Sequence, residues 1–303
     1  MTIGRQTDFM PNTNTPKQNV LERLHKRSIS AKDIAGQFWC EKQMELSYIH
    51  GFAPTKIMNA GTEIHQKLQV EVFKPLELEP VSYPDRMYKT AYENILTLKT
   101  LEEKGVAREL KIYGSINGYT VVGQVDELRM SDGKVIIVEN KTTNSTKSKF
   151  SPQYTKPHEI QIMLYKRMLD DLKSGSYSYN NFNAYYKVSG MRLSDGFAAG
   201  LKAMGINDSL INVSAIFTKM FERIVSLSEL SNALKLNYVG RETRENIAEI
   251  TVNYDRESLS SDIVYAMKYW NGERDAAPVP EEEKWKCNVC RFFGKQCFVW
   301  FER

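Results

Sequence analysis

The sequence predicts an α+β fold in which a small mixed sheet is flanked by helices. Three observations carry that expectation. Segments with helical start and stop signals fill much of the first hundred residues. The dipeptides Asn117-Gly118 and Asp132-Gly133 then cut the chain into three strand-like runs, and helical patterning resumes afterwards.

Ser30 followed by Asp33 makes a capping signal for a helix over Ala31–Tyr48, which Gly51 stops. Further helices are predicted over Ala60–Phe73 and Asp85–Lys104. Ala107–Tyr113, Tyr119–Met130 and Lys134–Lys141 alternate or run apolar, and the two Gly-containing turns join them as an antiparallel meander. A long loop over Thr142–Pro157 leads to a helix over His158–Lys173 and a strand over Phe182–Val188. A long helix over Leu210–Leu236, a strand over Ile247–Tyr254 and a helix over Ser258–Trp270 precede a cysteine-bearing tail. Residues 1–27, rich in Asn, Thr and Pro and then basic, are expected to form a loose arm ahead of one domain over residues 28–303.

With 303 residues the chain can bury a substantial core without disulfides. A net charge of +4 creates no overall field that would force nucleic-acid binding, so any such affinity has to come from local patches. No apolar run approaches the roughly 20 residues of a membrane span, and the polar stretch Met1–Asn19 lacks the apolar core of a secretory signal. The expected setting is intracellular: the cytoplasm, or a nucleus or mitochondrion. There, spaced cysteines serve as metal or cluster ligands more often than as disulfides.

The turn at Asp132-Gly133 fixes a further relation. Residues equidistant from it face each other across the hairpin. Asp126 and Glu139 are such a pair, and Lys141, two residues on, shares their face. Two facing carboxylates repel unless a cation lies between them. Mg²⁺ or Mn²⁺ suits that place, because it takes oxygen ligands and keeps waters that leave room for a phosphate oxygen. Lys141 can then help deprotonate or orient the attacking water and offset phosphoryl charge. On a half-exposed hairpin the same trio would be a solvated face. The runs of Val121, Val122 and Val125, then Val135, Ile136, Ile137 and Val138, instead mark these strands as interior.

Gly123-Gln124-Val125-Asp126 followed by Glu139-Asn140-Lys141 resembles the two-part signature of the PD-(D/E)xK nucleases. Gly61-x-x-x-His65 precedes it and Gln161-x-x-x-Tyr165 follows it. With Cys40, Cys287-x-x-Cys290 and Cys297, the likeness extends to RecB-like nucleases that carry an iron–sulfur cluster. These are exonuclease V and the CRISPR-associated RecB-like exonucleases. The segment Ile29–Glu45, with Phe38-Trp39-Cys40-Glu41, resembles the start of the exonuclease V domain in particular. The resemblance spans about Ser28 to Trp300 and implies a restriction-endonuclease-like catalytic core at about residues 60–190. It also implies a metal shell of His65, Asp126 and Glu139. Gln161 and Tyr165, which share a helical face, become helpers that orient Lys141 or the DNA backbone. One residue departs from the pattern. The position between the Glu and the Lys is usually apolar in these enzymes, pointing into the core from the opposite face, and here it is Asn140.

Three thiols in one short loop plus Cys40 from the far end of the chain fit a structural Zn²⁺ or a 4Fe–4S cluster equally by count. A three-plus-one split is less usual for zinc, and the resemblance implies the 4Fe–4S cluster. Flanking aromatics (Trp39, Trp285, Phe292, Phe293, Phe298, Trp300) would shield it, and it would staple the tail to the first helix in a structural role.

Lys147, Lys149 and Tyr154 lie in a stretch of lysines, hydroxyls and aromatics beyond Lys141. They are candidate contacts to a phosphate backbone and stacked bases, or else parts of a solvated basic loop. The resemblance implies single-stranded DNA degraded from an end, and the exonuclease V side of it points to repair or replication; a helicase or a single-strand-binding protein is a candidate partner that the sequence does not set. The competing readings are a CRISPR spacer-processing nuclease, a non-catalytic DNA-binding scaffold that keeps the fold and cluster, and a zinc-stapled structural protein.

Overall fold

Two tight turns set the sheet. Asn117, Gly118, Asp132 and Gly133 all adopt positive φ (49°, 81°, 50° and 74°), which a two-residue turn needs if its twist is to match its strands. The computed structural model describes residues 19–51, 75–144 and 149–300. Its mixed six-stranded sheet comprises β1 (Ile29–Ser30), β2 (Val106–Ile116), β3 (Tyr119–Ser131), β4 (Lys134–Thr143), β5 (Ala233–Gly240) and β6 (Asn246–Asn253). The turns join β2, β3 and β4 into the expected meander in the expected register, with Glu127 opposite Val138 and Ser131 opposite Lys134.

β3 is the shared strand. β2 pairs along one of its edges, while the other edge is divided. β1 runs parallel to it at Val121 and Val122, and β4 runs antiparallel to it from Glu127 to Ser131. Beyond Val138, β4 leaves β3 and runs parallel to β5 as far as Thr143; β6 closes the far edge. The sheet therefore forks where Asp126 and Glu139 stand.

Around it lie α1 (Val20–Arg23), α2 (Ala31–Ile49), α3 (Tyr83–Lys104), α4 (Pro152–Lys173), α5 (Tyr179–Tyr186), α6 (Asp195–Ala203), α7 (Val213–Val225) and α8 (Arg256–Trp270). Ser30 and Asp33 form the expected capping box of α2, and Ser82 with Asp85 forms another for α3. α4 lies across the middle strands. It approaches closely because two residues beneath it lack side chains: a Cβ on Gly114 would stand 3.1 Å from Met168, and one on Gly123 would stand 2.9 Å from Tyr165.

Three elements differ from expectation. Phe182–Val188 is not a strand. Its first half belongs to α5, because Tyr179, Phe182 and Tyr186 fall on one helical face, and Phe182 packs 4.7 Å from Tyr113 and 4.5 Å from Phe217 between ring centroids. That tertiary packing outweighs the β propensity of aromatic residues. The helix expected over Leu210–Leu236 ends at Val225. The residues after it form β5, in which buried Leu234, Leu236 and Tyr238 alternate with half-buried neighbours in a period of two. Finally, α4 starts at Pro152 rather than after Pro157; the inner proline removes one N–H donor without ending the helix, so residues 152–157 of the expected loop are helical.

Residues 19–27, assigned to the arm by sequence, contain α1, where Val20 and Leu24 are buried. The expected helix Ala60–Phe73, with Gly61 and His65, lies outside the described residues, as does Lys147. Among the described residues no helix is long and apolar enough to cross a membrane.

The approach of α4 is testable. Gly123→Ala is expected to cost about 1–3 kcal/mol in urea denaturation by overpacking Tyr165. Gly190→Ala, where an added Cβ meets nothing within 4 Å, is the control. Equal midpoints for the two variants would contradict the packing.

Candidate active site and cysteine centre

A fork in a sheet strands backbone groups that a ladder would have paired. Asp126 takes one of them: its Oδ2 accepts the N–H of Asn140 at 2.9 Å. Asp126 and Glu139 stand at the base of the fork, only 6% and 1% exposed. Glu139 Oε1 accepts from Lys141 Nζ at 2.6 Å and from Gln161 Nε2 at 2.6 Å. The Oε1 of Gln161 accepts from the same Lys141 ammonium at 2.9 Å, and its Nε2 also donates to the Tyr165 hydroxyl oxygen at 2.8 Å. The strands thus deliver the acids and the lysine. α4 delivers the glutamine and tyrosine from one face, and Gln161, bonded at both ends, has a single amide orientation.

Burial pushes the Glu139 carboxyl above its ordinary range, and the Asp126 charge adds to the shift; Lys141 and Lys32 pull it the other way. The second oxygen of Glu139, Oε2, is buried with no hydrogen-bond partner among the described residues. An orphaned carboxylate oxygen beside a second carboxylate is costly in the bare protein, and a divalent cation relieves it. Asp126 and Glu139 therefore fit a hard, oxygen-preferring ion. Among the described residues no three Cys, His, Asp or Glu side chains form a complete metal shell, and the expected third ligand, His65, lies outside them.

The sequence pattern did not single out His158. It sits one turn before Gln161 on α4, its Nδ1 is 2.8 Å from the Tyr238 hydroxyl, and burial together with the Lys141 charge pushes it down to about 3, so the ring is neutral. The available signal was its i, i+3 spacing to Gln161.

Asn140 points to the opposite face, where its amide oxygen accepts from Asn237, its registered neighbour on β5, at 3.2 Å. That face is polar here: Lys235 donates to Glu249 at 2.8 Å and to Thr251 at 3.0 Å. Among the described residues Asn140 thus has polar neighbours on this face, where a polar residue between Glu139 and Lys141 finds a partner. Of the expected DNA contacts, Lys149 is exposed. Tyr154 is half-buried, with its ring against Trp39, Phe150, His158 and Tyr238.

The four cysteines converge. Cys40, Cys287, Cys290 and Cys297, none in a disulfide, line one small cavity with Leu46, Phe293, Val299 and Trp300. α2 is interrupted there, with Cys40 at φ −170° and ψ 112°. The break frees two N–H groups: Gln43 donates to Cys40 Sγ at 3.4 Å, and Lys42 donates to Ala277 O at 3.1 Å. The second half of α2 thus starts at Cys40, and its N-terminal dipole favours a thiolate. Burial raises the Cys40 thiol, and N–H donors from Gln43 and Val279 oppose the shift. Within the 287–297 loop, Cys290 N–H bonds to Cys287 O at 3.0 Å and Cys297 N–H bonds to Phe292 O at 2.9 Å. The four thiols line one cavity and Cys40 has N–H donors beside it, but among the described residues no three of them stand grouped as a bound metal requires.

The shield around it is partial. Phe292 is buried, but Trp285 and Phe298 are 42% and 52% exposed. Charge also clamps the tail, which the sequence did not reveal. Lys286, 2% exposed, donates to Trp39 O at 3.3 Å and lies 4.6 Å over that ring. Glu41 accepts from Arg274 Nη2 at 2.6 Å and from Ala277 N–H at 2.8 Å.

Comparison with known proteins identifies the family. The family model described as Exonuclease V, a 5′ deoxyribonuclease, matches residues 20–133, 129–220 and 201–300. Exonuclease V of Danio rerio is 26% identical over 287 residues, covering 90% of this chain and 70% of that protein. The crystal structure of SSO0001 aligns with a TM-score of 0.42 at 15% identity over 91% of this chain and 90% of that one, too loosely to carry an argument. With the family model running through nearly the whole chain, this protein belongs to the exonuclease V family of deoxyribonucleases.

Proposed function

We propose that this chain is a Mg²⁺- or Mn²⁺-dependent exonuclease that hydrolyses single-stranded DNA from an end, in DNA repair or replication. The observation that carries the reading is the buried Oε2 of Glu139 beside Asp126, without a hydrogen-bond partner among the described residues, and Lys141 held between Glu139 and Gln161. Asp126 and Glu139 hold the metal in this reading, with His65 as the third ligand. The ion supplies Lewis acidity and a water of lowered pKa. The chain's own residues position the rest. Lys141 has three N–H donors; Glu139 and Gln161 engage two, and the third is directed to a phosphoryl oxygen or the attacking water. Tyr165 keeps Gln161, and through it the Lys141 ammonium, in one orientation. Residues 28–303 act as one nuclease domain with its core at about 60–190.

The cysteines are proposed to bind a 4Fe–4S cluster whose role is structural. A thiolate-ligated cluster carries negative charge, which suits the N–H donors and helix start at Cys40. It would fasten α2 to the tail alongside the Glu41 and Lys286 contacts.

End-labelled single-stranded and duplex DNA incubated with Mn²⁺ is expected to yield end-directed products from the wild type and none from Asp126→Ala or Lys141→Ala. Gln161→Ala should be slower by about 10–100-fold. Undiminished cleavage by both of the first two variants would reject the active site.

Glu139 also sets a pH dependence. A carboxyl raised in the folded protein contributes stability while protonated, and that contribution is lost as pH climbs from the ordinary glutamate range toward neutrality. Mg²⁺ should therefore raise the melting temperature more at neutral pH than at about pH 5, and Glu139→Gln should abolish the difference. An equal Mg²⁺ shift at both pH values in the wild type would contradict this. For the cysteines, the purified protein is expected to be brownish with broad visible absorption, and Cys290→Ser should lose the colour and melt earlier. A colourless wild type with stoichiometric zinc would replace the cluster with zinc.

A further inference from the structure

One cavity, lined by polar side chains and by Gly240 and Ile247, lies just beyond the candidate catalytic strand and plays no part in the mechanism above. β4 and β5 end together at Thr143 and Gly240, where Arg241 N–H donates to Thr143 O at 2.9 Å. Past that point opens a cavity of about 350 Å³ lined by Thr143, Asn144, Arg241, Glu242 and Thr243.

Its chemistry suits an anion. Among the described residues the Nε of Arg241 is buried without a hydrogen-bond partner, and no ion pair engages this guanidinium. An orphaned guanidinium donor is satisfied best by a carboxylate or a phosphate. Thr243 adds a hydroxyl. Gly240 has no side chain, and a Cβ there would collide with Thr243 Oγ1, so the hydroxyl can lie against the strand end. Its oxygen accepts Glu245 N–H at 3.3 Å, leaving its own proton to donate. Glu242, the one acid in the lining, is exposed to solvent.

Its position suits a DNA strand. Lys141 and Tyr238 are registered neighbours, and Thr143 and Gly240 follow them by two residues, so the cavity lies just past Lys141 along the strand. Two strand residues span about 7 Å, on the order of one nucleotide of extended chain.

We propose that this cavity binds the phosphodiester next to the one being cleaved. Arg241 is its cation and the Thr243 hydroxyl a second donor, and together they hold the strand in register with Lys141. The inference rests on the nuclease reading and adds a phosphate subsite to it.

The test uses the full chain and single-stranded oligonucleotides, with binding measured while divalent metal is withheld. Arg241→Gln should weaken binding to all sequences alike and reduce the salt slope by about 0.7, the single-strand value for one phosphate contact. Arg241→Lys should retain most of the affinity, and both variants should melt with the wild type. A neutral methylphosphonate moved along the strand should weaken wild-type binding at one position next to the cleaved bond, and Arg241→Gln should not distinguish that position. If Arg241→Gln fails to fold, the wild-type scan alone decides. Unchanged affinity and slope in a folded Arg241→Gln, or no position-specific loss in the scan, would overturn the subsite. Either result in a wild type that cleaves DNA, with Asp126→Ala inert, removes the subsite alone. A wild type that neither binds nor cleaves removes the nuclease reading with it.

Discussion

The bond from Asn140 N–H to the Asp126 carboxylate governs how β3 and β4 separate. Had the ladder continued past Glu127 and Val138, backbone would have paired with backbone and the two acids would have stood locked side by side. Instead a side-chain oxygen takes the N–H, β4 turns to β5, and Asp126 and Glu139 face the opening. A charge-assisted bond of this kind is stronger than the neutral one it replaces. The rest of the candidate site builds on that opening: α4 settles onto Gly114 and Gly123, and Gln161 and Tyr165 reach Lys141 from above.

The same device recurs at the cysteines. There a helix, not a sheet, is interrupted, and the N–H groups released by the break at Cys40 turn to Sγ and to the backbone of the tail. In both places broken secondary structure offers N–H donors to a group that carries or gains negative charge, and the surrounding packing holds the break in place. Burial raises both Glu139 and Cys40, so each group loses something by ionising alone, and a bound cation compensates that loss. Glu41 with Arg274 and Lys286 over Trp39 show that the tail does not depend on thiols alone for its seat.

Much of this was legible in the chain because short-range chemistry fixes it. The paired positive-φ turns dictate the hairpin register, the Ser30–Asp33 box dictates where α2 begins, and the register carries Asp126 and Glu139 to the point where the ladder ends. What was not legible depends on distant partners. α5 is helical because Tyr113 and Phe217 receive its aromatic face, and β5 reads as strand only beside β4. His158 and Lys286 look like ordinary surface residues until the fold supplies Tyr238 and Trp39. Asn140 departs from the family pattern because its partner lies on β5; beside Asn237 it is in keeping with its neighbours.

The central claim is that Asp126 and Glu139 form an oxygen site for a divalent ion. Electron paramagnetic resonance of Mn²⁺ titrated into the DNA-free protein measures this directly. Wild type should deplete the free Mn²⁺ signal until its site is filled, and the Asp126→Asn/Glu139→Gln double variant should leave that signal at the level of buffer. Equal depletion by the wild type and the double variant would contradict the account.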